Sequence, residues 1–362
     1  MVLNPLCELP DPLRNLAGEA IIDAASWSHR RQEIADRLLP LVYGPLPPAP
    51  RQTQCLLLHA AVVRSLSGAR LRSCRVATDD GPSFLLRLLI PEGPGPFPVL
   101  VSGDACWHYA NDAVLAAVLA RGYGFAEFNR VEVAADPGGP TQGLPMTEAP
   151  AQFGTLAAWA WAYHRVVDAL LTLDWIDPAG IAIVGHSRGG KAALLAGATD
   201  TRVTLTSANN SGAGGAGSFR WLATGAESLA DLVGAYGHWF APGLRDFIGR
   251  ESALPFDQNL LKAMVAPRAL LTTEALGDTW ANPQGSWQSH RAAQCVFDLL
   301  GANDKLAIRF REGGHAHILA DWLSLLDFAD VQLRGACAAG PAQADPFPGL
   351  PLPGRWIQGR QA

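Results

Sequence analysis

Charge is scarce in this sequence: only 17% of its 362 residues are Asp, Glu, Lys or Arg. The 28 basic residues are outnumbered by 33 acidic ones, for a formal net charge of −5. No basic field is available to hold nucleic acid or an anionic membrane surface, so both classes of partner are excluded. No run of 18 apolar residues appears, so no segment reads as a membrane span. The opening stretch, MVLNPLCELPDPLRNLAGEA, lacks the charged-then-apolar order of an export leader. The expected location is the cytoplasm, or else a secreted or periplasmic protein whose leader has been trimmed away. Six cysteines (Cys7, Cys55, Cys74, Cys106, Cys295, Cys337) lie far apart with no CxxC and no metal-ligand spacing. They suggest free thiols and a reducing compartment rather than a disulfide framework or a metal centre.

What the chain has is apolar bulk, 49% of its residues, enough for a substantial core. SHRRQEIADRLLPLVY (28–43) has helical spacing and ends at prolines, which predicts a leading helix. The period then changes to short strand-like runs at 54–63, 71–78 and 83–91, as expected of antiparallel strands opening a sheet. From FPVLVSGD (97–104) onward strands and helices alternate. Helices are expected over 112–123, 153–173, 189–198, 286–300 and 318–333, and strands over 124–130, 180–185, 203–209, 268–275 and 306–312. Such alternation means parallel strands joined by helical crossovers, with ligands at the carboxyl ends of the strands. The expected fold is a three-layer α/β sandwich in one domain over 1–362, with an N-terminal helical extension over about 1–50. Residues 211–266 break the rhythm and are rich in Gly, Trp, Phe and His. They read as an insertion folded over the active edge, or as a structural elaboration away from it.

Gly185-His186-Ser187-Arg188-Gly189 fits GxSxG, with a strand-like run before it and a small-residue helix after it. A sharp strand-to-helix turn requires small neighbours and pushes the serine side chain outward, which makes Ser187 the candidate nucleophile. The plainer alternative is a serine that caps the helix. A serine hydroxyl needs a base, and the base a carboxylate, and this strand–turn–helix context orders them Ser, acid, His. His315 in REGGHAH stands just past the last strand, where Gly313 and Gly314 allow the turn to carry it inward. His317, the competitor, is nearer the helix start and would cap it or face solvent. Asp278, in EALGDTW, lies on the loop expected for the acid. Glu274, at the end of the same strand, is the alternative, unless it is simply a solvated strand terminus.

Arg188 and Lys191 sit where a helix N-terminus is already positive, each unfavourable by roughly 0.3–1 kcal/mol unless an anion compensates. A ligand anion or a developing oxyanion would remove the conflict. Pairing with acids of the insertion, such as Glu227, would do the same. The backbone N–H of Arg188 is one expected oxyanion donor, with a second expected between Ser102 and Asp104. Lys191, one helical turn beyond Ser187, shares its face.

Together GHSRGGKAALLAGATDTRVTLTSANNSGAGG, GHWF, ALPFDQNLLKAMVAPRALL, GDTWANPQG and REGGHAHILADW resemble the bacterial glucuronoyl esterases, carbohydrate esterase family 15. The likeness covers roughly residues 5–335, and the GxSRxGK elbow is its most specific element. The resemblance implies an α/β-hydrolase, a mostly parallel central sheet with antiparallel N-terminal strands, and a serine esterase with no metal or cofactor. It implies a small-molecule or oligosaccharide ester of glucuronic acid, often 4-O-methylated, as substrate. A monomer is favoured, the oligomeric state itself being unreadable here. It places the nucleophile on Ser187, the base on His315, an oxyanion-stabilising guanidinium on Arg188, and sugar-hydroxyl contacts on Lys191, Glu227 and Trp280. Many members carry the acid as a glutamate after the strand beyond the elbow. Here Asn210 stands there, so the acid falls to Asp278. His186 replaces the cysteine that fungal members carry in a disulfide.

Overall fold

A computed structural model describes residues 8–79, 81–107, 109–137, 153–337, 345–351 and 353–360. Cys7 and His108 therefore lie outside the described residues. The leading helix α1 (Ala24–Glu33) starts four residues earlier than the spacing suggests, because Asp23 caps it with an oxygen accepting from Ser26 N–H at 2.8 Å. It continues through a wider π turn (Ile34–Leu38) into α2 (Leu39–Tyr43) and stops at Gly44, whose φ is 74°.

Three antiparallel strands come next, β1 (Thr53–Val63), β2 (Ala69–Thr78) and β3 (Phe84–Ile90). Then come β4 (Phe97–Ser102), α3 (Asp112–Ala120), β5 (Gly124–Phe128), α4 (Thr155–Leu170), β6 (Ile176–His186), α5 (Arg188–Thr199) and β7 (Leu205–Asn209). The chain closes with α6 (Leu229–Tyr236), α7 (Gln258–Ala263), β8 (Ala269–Ala275), α8 (Pro283–Leu299), β9 (Leu306–Arg311) and α9 (Leu319–Arg334).

The nine strands form one sheet in the order β1-β2-β3-β5-β4-β6-β7-β8-β9. β3 meets β5 antiparallel, and every pair from β5 to β9 is parallel. The change of direction thus lies between β3 and β5, and β4 runs parallel to both of its neighbours. Strands such as FPVLVS and LTSAN are buried along their whole length, as a parallel sheet covered on both faces requires. One apolar cluster, on α3 and α9, covers one face with Leu115, Val118, Trp322 and Leu326. The other face carries α4, α5, α7 and α8, with Trp159, Val166, Leu194, Leu260 and Phe297 among its buried residues. This is the α/β-hydrolase sandwich, with helices on both sides of a mixed, mostly parallel sheet. Its effect on function is geometric: the carboxyl ends of β4, β6, β7, β8 and β9 come out along one rim.

Candidate active site

The turn from β6 to α5 carries the strain expected of a sharp elbow. Ser187 has φ 55° and ψ −124°, outside the ordinary regions for a residue with a Cβ. Packing explains the glycines: a Cβ on Gly185 would lie 2.2 Å from the Gly189 carbonyl oxygen. Neighbours hold the turn in place, since Ser187 N–H donates to Asn209 O at 2.9 Å and His186 N–H to Asp104 Oδ2 at 2.7 Å. Asp104 is in turn ion-paired with the fully buried Arg130. The first turn of α5, beginning at Arg188, directs backbone N–H groups and the positive end of the helix dipole to the same side as Ser187.

Two loops on the rim complete the centre. His315, between β9 and α9, places Nε2 2.9 Å from Ser187 Oγ and Nδ1 2.6 Å from Asp278 Oδ2. Asp278, just past β8, is buried, while the imidazole is 48% exposed. The expected Ser–His–Asp constellation is thus brought together. Asn210 stays out of it, its carbonyl oxygen accepting from Ala275 N–H at 2.7 Å. Glu274 is no solvated terminus and does not reach His315. It is fully buried on β8, where burial pushes its carboxyl up and the neighbouring Lys262 ammonium down.

His317 also departs from expectation, since its ring is packed rather than simply facing water. Its ring stacks on Trp322 (4.6 Å between centroids) and on His186 (5.5 Å), and His186 packs against His315 at 4.7 Å. Asn209 fixes the His186 tautomer. Its amide nitrogen donates to Thr273 Oγ1 at 2.9 Å, leaving Oδ1 to accept from His186 Nδ1 at 2.6 Å. Burial pushes this imidazole below its ordinary value, which favours the neutral ring.

The two cations of the elbow have partners of their own. Arg188 Nη1 donates to Asp136 Oδ2 at 2.6 Å, and its guanidinium lies over the rings of Trp107, Tyr236 and Trp239 at 4.9–5.2 Å. Asp136 also accepts from Trp239 Nε1 (2.9 Å) and lies 3.1 Å from His238 Nε2. Burial would raise this carboxyl, but these hydrogen bonds together outweigh it and hold it at about 2. Lys191 is buried, which lowers its pKa, and it donates to Ala213 O at 2.5 Å and Glu227 Oε2 at 3.3 Å. Internal carboxylates therefore relieve the charge conflict at the helix start, and no ligand anion is needed to do so. The Ser102–Asp104 loop is a second correction, because its N–H groups are committed within the protein. Gly103 N–H donates to Tyr163 Oη at 2.8 Å, Asp104 N–H faces Ser102 Oγ at 3.4 Å, and Ala105 N–H pairs with Phe128 O at 3.3 Å.

Two cavities meet at the serine. One, about 260 Å³, is lined by Lys191, Glu227, Tyr236, Trp239 and Trp280 together with Ser187, Arg188 and His315. Trp280, on the turn after Asp278, is half exposed at its edge, and its carbonyl accepts from Glu227 N–H at 3.0 Å. The other cavity, about 440 Å³, runs past Trp107, Val114, His186, His317 and Trp322 and shares Ser187, Arg188 and His315. Among the described residues no group of three or more His, Cys, Asp or Glu is arranged to hold a metal ion.

The family model of the fungal glucuronyl esterases matches residues 76–301, more than half of the chain and most of this centre. The chain belongs to the glucuronoyl esterase family. It is similar to the 4-O-methyl-glucuronoyl methylesterase of Podospora anserina, with 30% identity over 86% of this chain. It spans 64% of the length of that relative. A carbohydrate esterase from an unknown prokaryotic organism is 27% identical, with 91% of each chain covered. Among solved structures, a carbohydrate esterase family 15 glucuronoyl esterase from Caldicellulosiruptor kristjansonii superposes with a TM-score of 0.78 at 30% identity, covering 93% of this chain and 95% of that one. In this family member the sequence missed Asp136, Trp107 and the His186–His317–Trp322 stack. Asp136 stands in VEVAADPGG, with no periodicity or motif to mark it, and meets Arg188 across 52 positions of chain. GHWF is part of the family resemblance, but nothing in its local pattern signals that Trp239 faces a guanidinium.

Proposed function

We propose that the protein is a serine esterase that hydrolyses esters of glucuronic acid, including the 4-O-methyl sugar, through a glucuronoyl-enzyme intermediate. The observation that carries this reading is His315 bridging Ser187 Oγ and Asp278 beside a cavity that holds the Lys191–Glu227 pair. Family membership supports the choice of a uronate as the acyl group.

Ser187 Oγ attacks the C6 carbonyl while His315 Nε2 takes its proton, and Asp278 keeps the imidazole oriented and stabilises its charged form. Negative charge then grows on the carbonyl oxygen. The N–H groups of the first turn of α5, with the Arg188 guanidinium close by, are the donors aimed at that charge. The sugar occupies the polar cavity, where Lys191 and Glu227 offer a donor and an acceptor for hydroxyls and Trp280 a flat face for the ring. The alcohol leaves by the second cavity. His315 lines both, so the imidazolium can return its proton to the departing oxygen and later activate the water that frees the acid.

The test is turnover of benzyl glucuronate beside a sugar acetate, for the parent and for Ser187→Ala. The parent is expected to prefer the glucuronate ester, and the variant to lose at least about 10³-fold in kcat. An unchanged rate in the variant excludes Ser187 as nucleophile, and preference for the acetate excludes the uronate reading.

A further inference from the structure

His315 must be held to within a fraction of an ångström, yet it rides on an exposed loop. Residues 312–316 are all exposed, two of them are glycines, and Gly313 has φ 105°. Hydrogen bonds from the ring to Ser187 and Asp278 fix the imidazole only if the backbone beneath it is fixed as well. One side chain at the end of the preceding strand holds much of that backbone. Arg311, the last residue of β9, folds its guanidinium back under the loop and donates Nη1 to Glu312 O at 3.0 Å and to Gly314 O at 3.4 Å, and Nη2 to Ala316 O. These three carbonyls bracket His315. Nε of the same group donates to Asp321 Oδ1 at 2.8 Å. Asp321 is buried in the first turn of α9, and its other oxygen accepts Ile318 N–H at 3.0 Å, so one carboxylate ties both the clamp and the far end of the loop to the helix. The backbone of Arg311 also accepts from Leu276 N–H at 2.8 Å, beside the acid loop.

We infer that Arg311, seated on Asp321, is a positioning residue for the catalytic base: it sets the backbone of the 312–318 loop so that His315 stays aligned between Ser187 and Asp278. The inference rests on the reading of His315 as the base. A planar fork with five donors can serve several carbonyls and a carboxylate at once, whereas a lysine ammonium is a single point with three donors and cannot span the same set. Arg311 lines neither of the two cavities, so its removal reaches the site through the 312–318 loop, which carries His315 together with the cavity residues Ala316 and His317.

The experiment compares Arg311→Ala, Arg311→Lys and Asp321→Asn with the parent and with Arg121→Ala. Arg121 ion-pairs with Asp327 and Asp330 on α9 away from the loop, and its removal controls for a general loss of stability. Four quantities are read: kcat and KM on benzyl glucuronate, the melting temperature, and the rate at which a fluorophosphonate labels Ser187. Both Arg311 variants are expected to lose about 30–100-fold in kcat with KM within about twofold, the scale that small misplacements of a catalytic group produce. Labelling should slow in parallel, and millimolar guanidinium should restore part of the Arg311→Ala rate. Arg121→Ala is expected to melt lower without loss of kcat. Should Arg311→Ala fail to fold, Arg311→Lys carries the same readings. Rates within about threefold of the parent, or a loss matched by Arg121→Ala at equal melting temperature, overturn the inference. Labelling needs no assigned substrate. A chain that cleaves no glucuronate ester yet labels at Ser187 therefore overturns the function proposed above while the clamp is still judged on labelling.

Discussion

Asp136 binds two side chains across its pocket, with Arg188 and Trp239 donating and His238 within reach. With its carboxyl at about 2 against an ordinary value of 3.8, the folded protein holds the ionised form more tightly than the unfolded chain does. The stabilisation is complete above about pH 5 and is lost as the pH falls toward 2. Asp136→Asn is therefore expected to lower the melting temperature at pH 7 and to flatten its decline between pH 4 and 2, as thermal melts across that range will read. None of this was legible in the sequence. The motif identified Ser187 because its chemistry requires a local pattern of small residues. An acid that meets an arginine 52 positions away leaves no local trace. Arg188 was correctly read as a cation in need of a negative partner, and the partner turned out to belong to the protein itself.

At the level of elements, the acid and base loops are laced together by backbone bonds. Leu276 N–H reaches Arg311 O, and Gly277 N–H reaches Gly313 O at 2.9 Å. A Cβ on Gly277 would stand 2.5 Å from the Gly313 carbonyl oxygen, so one loop or the other must move. Gly277→Ala is expected to lower kcat about tenfold or more, with a small effect on melting, because the shift falls on Asp278 and His315 rather than on the core. Steady-state kinetics beside a thermal melt checks the split. Strands and crossover helices were readable because burial on a sheet imposes a period, and the order of Ser, acid and His was expected from the strand–turn–helix context of the elbow. Glu274 and His317 were misread for the same reason as each other: sequence shows which residues are near an element's end, but not whether the fold buries that end. The start of α1 was missed because AASW has little amphipathic period, while its cap depends on Asp23 and Ser26.

On the scale of the whole molecule, the sheet is unequal from edge to centre. β4, β6 and β7 are flanked by strands on both sides and covered by helices on both faces, whereas β1 lies at an edge with Leu56, Leu57, Leu58 and Val62 exposed. Amide hydrogen exchange followed by mass spectrometry is expected to show β4, β6 and β7 as the slowest segments and β1 among the fastest of the strands. Slow exchange in β1 equal to that of β6 would contradict this ordering. The stable centre is also the part that carries the elbow, so Ser187, the proposed nucleophile, is built on the segment expected to be least prone to open. The ion pairs at that elbow also bear on product release. The proposed hydrolysis converts an uncharged ester into a carboxylate, and a seat with surplus positive charge would retain that newborn anion and stall the next cycle. Because Asp136 and Glu227 already balance Arg188 and Lys191, the emptying step of the proposed cycle meets little electrostatic resistance, and the acid it frees can diffuse away.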